Sequence, residues 1–327
     1  MKIDKAAGWL SERAGSNRDE NVHPFSKARR LSTLKKTFPS LRARGDRFVT
    51  ISERLPFHLR FPEREEAKAA LLSNLCLLYG IGSHYDRALR EAGYESIPSL
   101  IFHPRFGKRA QERLNEWGSP IDPAAVYRTL SDWLPSSHPL FLRSLSFVKR
   151  EGLLFFDLET LGLANAPIFL LATGRITEGS LAVNQHLAAS LEGEASLLEE
   201  FERELEGISV LISYNGKAFD WPILRERSFY YGIPFPNEPI HIDLLHHSRR
   251  RYQKILPDLQ LKTVEEYILN VDRGADLPSS LVPVYYTAYL ETGNPEALLP
   301  IIVHNRQDIV SLALLLSTLL QESSDAG

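Results

Sequence analysis

The sequence predicts an α/β protein in which a mixed β-sheet flanked by helices follows a mainly helical domain. From Glu151 onward, short apolar runs alternate with amphipathic stretches in the order three strands, helix, strand, helix, strand and helices. Before residue 150, helical stretches interrupted by glycine and proline dominate. We therefore divide the chain into a basic arm (1–47), a mainly helical domain (48–150) and a sheet domain (151–327).

Charge is distributed unevenly along the chain. Residues 1–150 contain 26 lysines and arginines against 16 acidic residues, whereas residues 151–327 contain 12 against 25. The net charge of −3 is therefore the balance of a basic half and an acidic half. Such a division suggests that one half holds a polyanion and the other processes it. A solvated surface of uneven sign is the competing interpretation.

Composition excludes several classes of protein. Cys76 is the only cysteine, so an internal disulfide and a thiolate metal site are ruled out, as is typical of a reducing compartment. The first 20 residues mix charges of both signs, and no uncharged apolar run approaches the roughly 18 residues of a membrane helix. We therefore expect a cytoplasmic protein with no membrane partner. The sequence identifies no obligate protein partner.

The N-terminal arm is basic. Between Lys27 and Arg47, eight basic residues accompany a single acid. This arm is either a mobile segment that neutralises phosphates or a solubilising tail, and its basic surroundings favour the first interpretation. Apolar and polar residues alternate enough over 48–61 to predict a strand or hairpin. Pro62 and the acids after it then begin a helix that ends at Gly80.

The segment 78–100 predicts two short amphipathic helices joined at Gly93 and preceded by a Gly-x-Gly turn. It resembles a helix-hairpin-helix motif, in which glycines let the backbone approach a phosphate and the amides of the next helix point at it. Gly80, Gly82 and Arg87 are therefore candidate nucleic-acid contacts. An ordinary helix pair with glycine caps is the alternative, because the residue after the turn is not basic.

The C-terminal half has the strand and helix signals of a mixed sheet. The predicted strands are 153–156, 167–176, 181–188, 208–213 and 240–242, and the predicted helices between them are 194–205 and 218–231. A turn at 177–180 makes at least two of the first three strands an antiparallel hairpin. This is the element order of a ribonuclease-H-like mixed sheet.

Asp157 and Glu159 lie two residues apart at the end of the first apolar strand. Side chains on a strand repeat every two residues, so both carboxylates are expected on one face. Hard oxygen donors on one face suit Mg²⁺ or Mn²⁺. An acidic pair that caps the following turn is the competing interpretation.

Two later segments carry further candidate residues. The strand at 208–213 leads to Asp220 at the start of a helix, where sheets of this kind build sites, although a plain helix cap explains it as well. His304 and Asp308 are four residues apart on a helix that runs to about Leu320, so they share one face. Exposure of that pair on the far side of the helix is the alternative.

The three segments together resemble the motifs of the DEDD, or DnaQ-like, 3′-to-5′ exonuclease superfamily. The matching patterns are Asp157-x-Glu159, Asn215-x-x-x-Phe219-Asp220 and His304-x-x-x-Asp308. Within that superfamily the chain is most similar to bacterial YprB-type ribonuclease-H-like proteins. They share the segment 256–265, here Leu-Pro-Asp-Leu-Gln-Leu-Lys-Thr-Val-Glu, and a segment that runs from Thr-Gly-Asn to His-Asn-Arg, here from residue 292 to residue 308.

The resemblance implies a two-metal phosphodiesterase. Asp157, Glu159, Asp220 and Asp308 would hold two Mg²⁺ or Mn²⁺ ions, and His304 would orient or deprotonate the attacking water. Better-known members carry a histidine five residues before the last aspartate or a tyrosine four before it, whereas this chain has a histidine at the tyrosine spacing. The chain therefore departs from both patterns at His304.

Three residues of the second motif are candidate substrate contacts. Asn215 and Phe219 are expected to shape its turn, and Lys217 could reach a phosphate or be an ordinary surface lysine. Asp243 is expected mainly to cap the helix that follows it.

The resulting hypothesis is a metal-dependent nuclease, a 3′-to-5′ exonuclease on single-stranded or frayed DNA or RNA. In this hypothesis the helical domain grips the nucleic-acid backbone. One alternative is a binding or scaffolding protein with little catalytic activity, and another is a structure-specific endonuclease on the same fold.

Overall fold

A seven-stranded mixed sheet with the order β1-β2-β5-β4-β3-β6-β7 organises the fold. The computed structural model describes residues 34–44, 47–162, 166–235 and 239–325. The strands are β1 (Arg42–Arg44), β2 (Phe48–Pro56), β3 (Leu153–Thr160), β4 (Ile168–Thr177), β5 (Ser180–Ala188), β6 (Val210–Ser213) and β7 (Ile240–Asp243). In this order, all neighbouring strands from β1 through β2, β5 and β4 to β3 pair antiparallel. The pairs β3–β6 and β6–β7 are parallel. The predicted fold class, a ribonuclease-H-like mixed sheet flanked by helices after a helical region, is confirmed.

Strand β2 belongs to the sheet, which corrects its predicted place in a helical domain. Residues 48–56 pair with β5 over nine positions, from Phe48 opposite Ala188 to Pro56 opposite Ser180. The buried side chains of Phe48, Val49 and Ile51 join a core cluster formed with β4 and β5. Part of the predicted basic arm also folds, since Arg42–Arg44 pairs with β2. Residues 1–33, which hold most of that arm, lie outside the described residues.

Eleven α-helices whose bounds lie within the described residues surround the sheet, in addition to a helical stretch at residues 34–37. They are α1 (Arg64–Leu72), α2 (Ser83–Glu91), α3 (Gly107–Trp117), α4 (Pro123–Trp133), α5 (Pro139–Ser144), α6 (Glu194–Glu204), α7 (Asp220–Tyr231), α8 (Leu244–Tyr252), α9 (Leu261–Val264), α10 (Val282–Thr292) and α11 (Leu299–Asp325). A π-helical turn, Glu265–Leu269, continues α9. Short 3₁₀ turns are formed by Leu75–Leu77, Pro98–Leu100, Leu145–Phe147, Arg150–Gly152, Leu191–Gly193, Ser279–Leu281 and Pro295–Leu298.

The two faces of β3 pack against different layers. Leu154 and Phe156 point toward α6 and α7, in a cluster that includes Phe201 and Trp221. Residues 153 and 155 point to the opposite face, where they pack with α11 and with the helical region. Because side chains alternate along a strand, the odd-numbered positions that follow also face α11. The two layers thus determine which side of the sheet carries the carboxylates.

The segment 78–100 departs from the predicted pair of helices. Helix α2 forms after Gly82 as expected, and Gly93 follows it with a left-handed φ of 88°. The chain then turns so that the Ile97 amide donates to the Leu72 carbonyl at 2.8 Å. Only a single 3₁₀ turn, Pro98–Leu100, follows. The second α-helix is therefore absent from this segment, and α3 begins later, at Gly107.

Helix α11 is the longest helix of the described residues and is rich in apolar side chains. With the turn before it, Pro295–Ser323 has the length and composition to cross a membrane, but 56% of its most apolar stretch is buried inside the protein. Its buried residues, among them Leu312, Leu315 and Leu316, pack in the main core cluster. The apolar character of this helix is thus explained by its contacts with the sheet and with the helical region.

Candidate metal centre

The end of β3 presents two carboxylates on the face covered by α11. Asp157 pairs in register with Ala172 of β4, and Glu159 pairs with Leu170. The Asn305 side-chain amide, on α11, donates to Asp157 Oδ2 at 2.8 Å. Gln185 fixes that asparagine in turn, because its Nε2 donates to Asn305 Oδ1 at 2.9 Å. Asp157 is therefore held against α11 by a buried amide pair.

Asp220 reaches the same strand from the start of α7. Its Oδ1 accepts the backbone N–H of Leu158 at 3.2 Å, so this carboxylate lies beside the residue between the two β3 acids. The turn before Asp220 needs unusual backbone geometry. Asn215 has a φ of 65°, and a Cβ on Gly216 would lie 2.4 Å from Ser213 Oγ. Strand, turn and helix thus bring Asp220 to the end of β3.

Asp243 braces the second-motif turn as well as capping a helix. Its Oδ1 accepts the Asn215 amide at 2.7 Å and the Leu245 amide at 3.1 Å, and its Oδ2 accepts the Lys217 amide at 3.2 Å. The predicted helix cap is therefore present. The same carboxylate also holds the turn that leads to Asp220.

Helix α11 adds the third segment to the cluster. His304 Nε2 lies 3.5 Å from Asp308 Oδ2, as expected for residues one turn apart on one helix face. Ligand atoms of Glu159, His304 and Asp308 lie within 4.8 Å of one another. Both α11 side chains are buried, so their exposure on the far side of the helix is excluded.

The carboxylates repel one another in a poorly solvated site. Burial raises the pKa of Asp157 and of Glu159 well above the usual range, and the charges of Asp308 and Asp220 add to the effect. Burial also raises the pKa of Asp220 to about 7, although the Leu158 amide favours its charged form. Like charges removed from water are costly unless a cation neutralises them. The arrangement is therefore suited to bind positive charge.

A family comparison agrees with this geometry. The family model of the RNase H superfamily matches residues 154–320, which is half of the chain. The chain belongs to the RNase H superfamily. The match begins within β3 and ends within α11, so it contains all three segments of the cluster.

Individual relatives of this RNase H superfamily chain were also found. The chain is 37% identical over 168 residues to the uncharacterized protein YprB of Bacillus subtilis (strain 168), a stretch that covers 50% of this chain and 40% of YprB. The resemblance to YprB-type proteins is thus confirmed over that stretch. The family B DNA polymerase of the archaeon Pyrobaculum calidifontis aligns over 54% of this chain and 26% of its own, with 22% identity and a TM-score of 0.42.

The donor set of this RNase H superfamily site fits hard divalent cations. Asp157, Glu159, Asp220 and Asp308 offer carboxylate oxygens, which Mg²⁺ and Mn²⁺ prefer to nitrogen or sulfur. In Asp157 and in Asp220, one carboxylate oxygen accepts a hydrogen bond from a neutral N–H donor. The excess of negative charge in the cluster is the property that a cation would relieve.

Sequence analysis missed a group of buried charged residues beside Asp308. Arg273, on the loop after the π-helical turn, forms ion pairs with Glu265, Asp276 and Asp308. Burial opposes the charge of Arg273, but its bonds to Glu265 and Asp308 raise its pKa above the ordinary value. Glu265 closes the segment 256–265 that resembles YprB-type proteins, which was the only signal in the sequence for this group.

The substrate-contact candidates of the second motif have different surroundings. Lys217 Nζ donates to the Tyr127 hydroxyl of α4 at 2.9 Å, so this lysine is held by the helical region. Phe219 precedes α7 and leaves 46% of its surface exposed next to Asp220. Asn215 shapes the turn through its left-handed backbone.

The helical-region candidates lie on an exposed surface around α2. Gly80 has a φ of 87°, whereas Gly82 is extended and no atom lies within 4 Å of a Cβ built on it. Arg87 is exposed on α2. Basic and aromatic residues alternate near this turn, as the Arg109 guanidinium lies 5.0 Å from the Tyr79 ring.

A second group of potential ligand residues lies between β5 and α6. It consists of His186, Glu200 and Glu204. Its members already have protein partners: His186 Nε2 is 3.1 Å from Glu204 Oε1, and Glu200 pairs with Arg203 at 2.6 Å. We interpret this group as a network of polar contacts that fastens α6 to the sheet.

Proposed function

We propose that this chain is a metal-dependent nuclease that hydrolyses phosphodiester bonds of DNA or RNA from the 3′ end. The observation that carries the proposal is the convergence of carboxylates from β3, α7 and α11 on one buried site. Membership of the RNase H superfamily supports the same chemistry. The assignment as a DEDD-type 3′-to-5′ exonuclease rests on the spacing of the three motifs in the sequence.

In the proposed reaction, a water oxygen forms a bond to phosphorus. The bond from phosphorus to the 3′ oxygen of the preceding nucleotide breaks, and that oxygen leaves as a new 3′ hydroxyl. Two Mg²⁺ or Mn²⁺ ions, when bound, supply stabilisation of the negative charge that develops on the phosphate. Asp157, Glu159, Asp220 and Asp308 are the residues that would hold them.

His304 is proposed to orient the attacking water or to accept its proton. The ring lies beside Asp308, and histidine is the side chain whose ordinary pKa is nearest neutrality. Phe219 and Asn215 are proposed to border the bound 3′ nucleotide. Lys217, held by its hydrogen bond to Tyr127, would place a positive charge near a phosphate of that nucleotide.

The α2 surface is proposed to hold the single strand that leads to the site. Gly80, Gly82 and Arg87 offer close backbone approach and positive charge, as the sequence predicted. Beside them, Arg105 Nη1 donates to the Tyr85 hydroxyl at 2.7 Å and its guanidinium lies 4.6 Å from the Tyr85 ring. Exposed aromatics next to guanidinium groups are suited to bind bases and phosphates of a single strand. Such a nuclease would act in the cytoplasm.

The test is cleavage of a 5′-labelled single-stranded oligonucleotide by the purified chain with Mn²⁺. We expect a ladder that shortens from the 3′ end, no attack on a circular single strand, and loss of cleavage with Asp157→Asn. Asp132→Asn, a change of an exposed aspartate on α4, is the matched control and should cleave normally. Cleavage of the circle would indicate an endonuclease instead. Salt-dependent binding without any cleavage would indicate a scaffold.

A further inference from the structure

The loop after the π-helical turn carries a buried arginine into the candidate metal centre. Asn270, with a φ of 53°, ends the turn Glu265–Leu269 and reverses the chain. Three residues later, the Arg273 side chain is only 4% exposed although it comes from a loop. Burying a guanidinium is costly unless partners satisfy both its charge and its donors. The contacts of Arg273 therefore show which residues the loop holds in position.

Glu265 neutralises Arg273 and fixes its orientation. The Nε and Nη2 groups of Arg273 donate to the two oxygens of Glu265, whose side chain has no exposed surface. A two-point contact between a planar guanidinium and a carboxylate sets the plane of the guanidinium as well as its position. The remaining N–H groups of the Arg273 guanidinium therefore point in fixed directions.

One of those N–H groups contacts Asp308. Arg273 Nη2 donates to Asp308 Oδ1, while Asp308 Oδ2 lies on the side of His304, 3.5 Å from its Nε2. The guanidinium thus occupies one oxygen of the proposed ligand and leaves the other facing the cluster. In metal sites, hydrogen bonds to the far side of a ligating carboxylate hold it in position.

The other donor group, Nη1, contacts a second carboxylate, that of Asp276, which in turn contacts His304. Arg273 Nη1 donates to Asp276 Oδ2 at 3.2 Å, and Asp276 Oδ1 lies 3.0 Å from His304 Nδ1. The same Nη1 also lies 3.3 Å from His304 Nδ1. Ser279 Oγ, at the far end of the same loop, lies 3.3 Å from His304 Nε2. A single buried cation therefore contacts both the proposed ligand of α11 and the carboxylate that holds the proposed water-orienting residue.

We propose that Arg273 is a positioning residue of the metal centre, which positions Asp308 directly and His304 both directly and through Asp276. This inference rests on the proposed function, because it assumes that Asp308 is a metal ligand. An ordinary buried ion pair that only stabilises the fold is the competing explanation. The two differ in what happens to cation binding when Arg273 is removed from a protein that still folds.

The chain offers a matched control in a second buried arginine–glutamate pair. Arg227 donates through Nε and Nη2 to the two oxygens of Glu194, at 2.7 and 2.5 Å. The same glutamate accepts from the Ile168 amide and the Tyr231 hydroxyl. This pair therefore has the geometry of the Arg273–Glu265 pair, but its glutamate is bound to α7 and β4 and not to the carboxylate cluster.

The experiment is isothermal titration of the full chain with Mn²⁺, alongside thermal unfolding in EDTA. We expect Arg273→Gln to weaken Mn²⁺ binding about 10- to 100-fold, the range typical when a hydrogen-bond partner of a metal ligand is lost. Arg227→Gln should lower the midpoint of unfolding comparably while Mn²⁺ affinity stays at the wild-type value. Asp276→Asn should lower kcat with little change in KM or in Mn²⁺ affinity, because Asp276 contacts His304, while Arg273 keeps its bonds to Glu265 and Asp308.

Several outcomes would overturn the inference. Wild-type or tighter Mn²⁺ binding by a folded Arg273→Gln variant would show that the guanidinium does not position Asp308. If that variant does not fold, Arg273→Lys decides, with roughly three- to tenfold weaker binding expected because lysine lacks the two-point contact. A wild-type chain that binds Mn²⁺ but cleaves nothing would sink the proposed nuclease and leave this measurement valid. A wild-type chain that binds no Mn²⁺ would overturn both.

Discussion

Asp220 shows how burial changes the protonation of a single carboxylate. Its carboxylate accepts the Leu158 amide, which favours ionisation, yet burial and the charges of Asp243 and Asp308 raise its pKa to about 7. The folded protein without metal therefore keeps a proton on this group in a pH range where the unfolded chain has lost it. A carboxylate that only capped α7 would not need this degree of enclosure.

This shift gives the metal-free protein a defined pH dependence. Because the pKa of Asp220 is raised on folding, its contribution favours the folded state at low pH and is lost as pH rises from about 4 to about 7. We expect the free energy of unfolding of wild type, minus that of Asp220→Asn, to fall by at most about 4 kcal/mol over that range. Urea denaturation in EDTA at several pH values measures it.

Two outcomes of that titration are informative. A difference that rises with pH would mean that Asp220 has a lowered pKa and is stabilised as an anion by the protein alone. With saturating Mn²⁺, the pH-dependent loss should disappear in wild type, since a bound cation favours the ionised carboxylate. The asparagine variant should gain less stability from Mn²⁺ at pH 8.

At the scale of elements, helix α4 supports the sheet and the second-motif turn from the helical region. The Tyr127 hydroxyl donates to the His241 carbonyl of β7 at 2.9 Å and accepts from Lys217 Nζ at 2.9 Å. One phenol thus joins α4 to the parallel edge of the sheet and to the turn of the second motif. The helical region therefore helps to shape the site as well as to cover the core.

Tyr127→Phe removes both hydrogen bonds and leaves the ring in place. We expect the free energy of unfolding to fall by about 1–2 kcal/mol, and Mn²⁺-dependent cleavage to fall as the second-motif turn loosens. Chemical denaturation and cleavage rates measure the two effects. Tyr267→Phe, which alters a tyrosine that is 57% exposed, should change neither. An unchanged cleavage rate in Tyr127→Phe would mean that Lys217 has no part in the reaction.

The sequence predicts local elements of this fold better than their partners. Strands such as Ile168–Thr177 and the hairpin at Gly179 have apolar runs and turn residues that are visible in a short window. The pairing of β2 with β5 joins residues more than 120 positions apart, and no local pattern encodes it. The third-motif residues were likewise found by their helical spacing, whereas Arg273 comes from an irregular loop.

At the scale of the whole molecule, the helical region and the sheet share one core. A single cluster of buried residues contains Leu71 and Trp117 of the helical region, Phe155 of β3 and Leu316 of α11. Strand β2 adds the sheet edge next to β5, and Arg306 of α11 pairs with Glu53 on that strand. A division at residue 150 thus remains a prediction about function, since packing is continuous across it.

The charge division of the sequence has a consequence for binding by the whole molecule. The candidate metal centre is rich in carboxylates, so without cations its field repels a polyanion. A nucleic-acid strand must then gain its affinity from cationic residues elsewhere, and the α2 surface offers Arg105 and Arg109 next to exposed Tyr79 and Tyr85. Affinity for a single strand should therefore depend steeply on salt.

Fluorescence anisotropy with a single-stranded oligonucleotide in EDTA, over a range of salt concentrations, measures this dependence. Each phosphate contact contributes about −0.7 to the slope of log K against log salt, so Arg105→Glu with Arg109→Glu should make the slope less negative by roughly one to two. Lys254→Glu, an exposed charge in the acidic half, is the control and should leave the slope unchanged. Equal slopes for all three proteins would place the strand on another surface, because counterion release counts only the cations that meet phosphates.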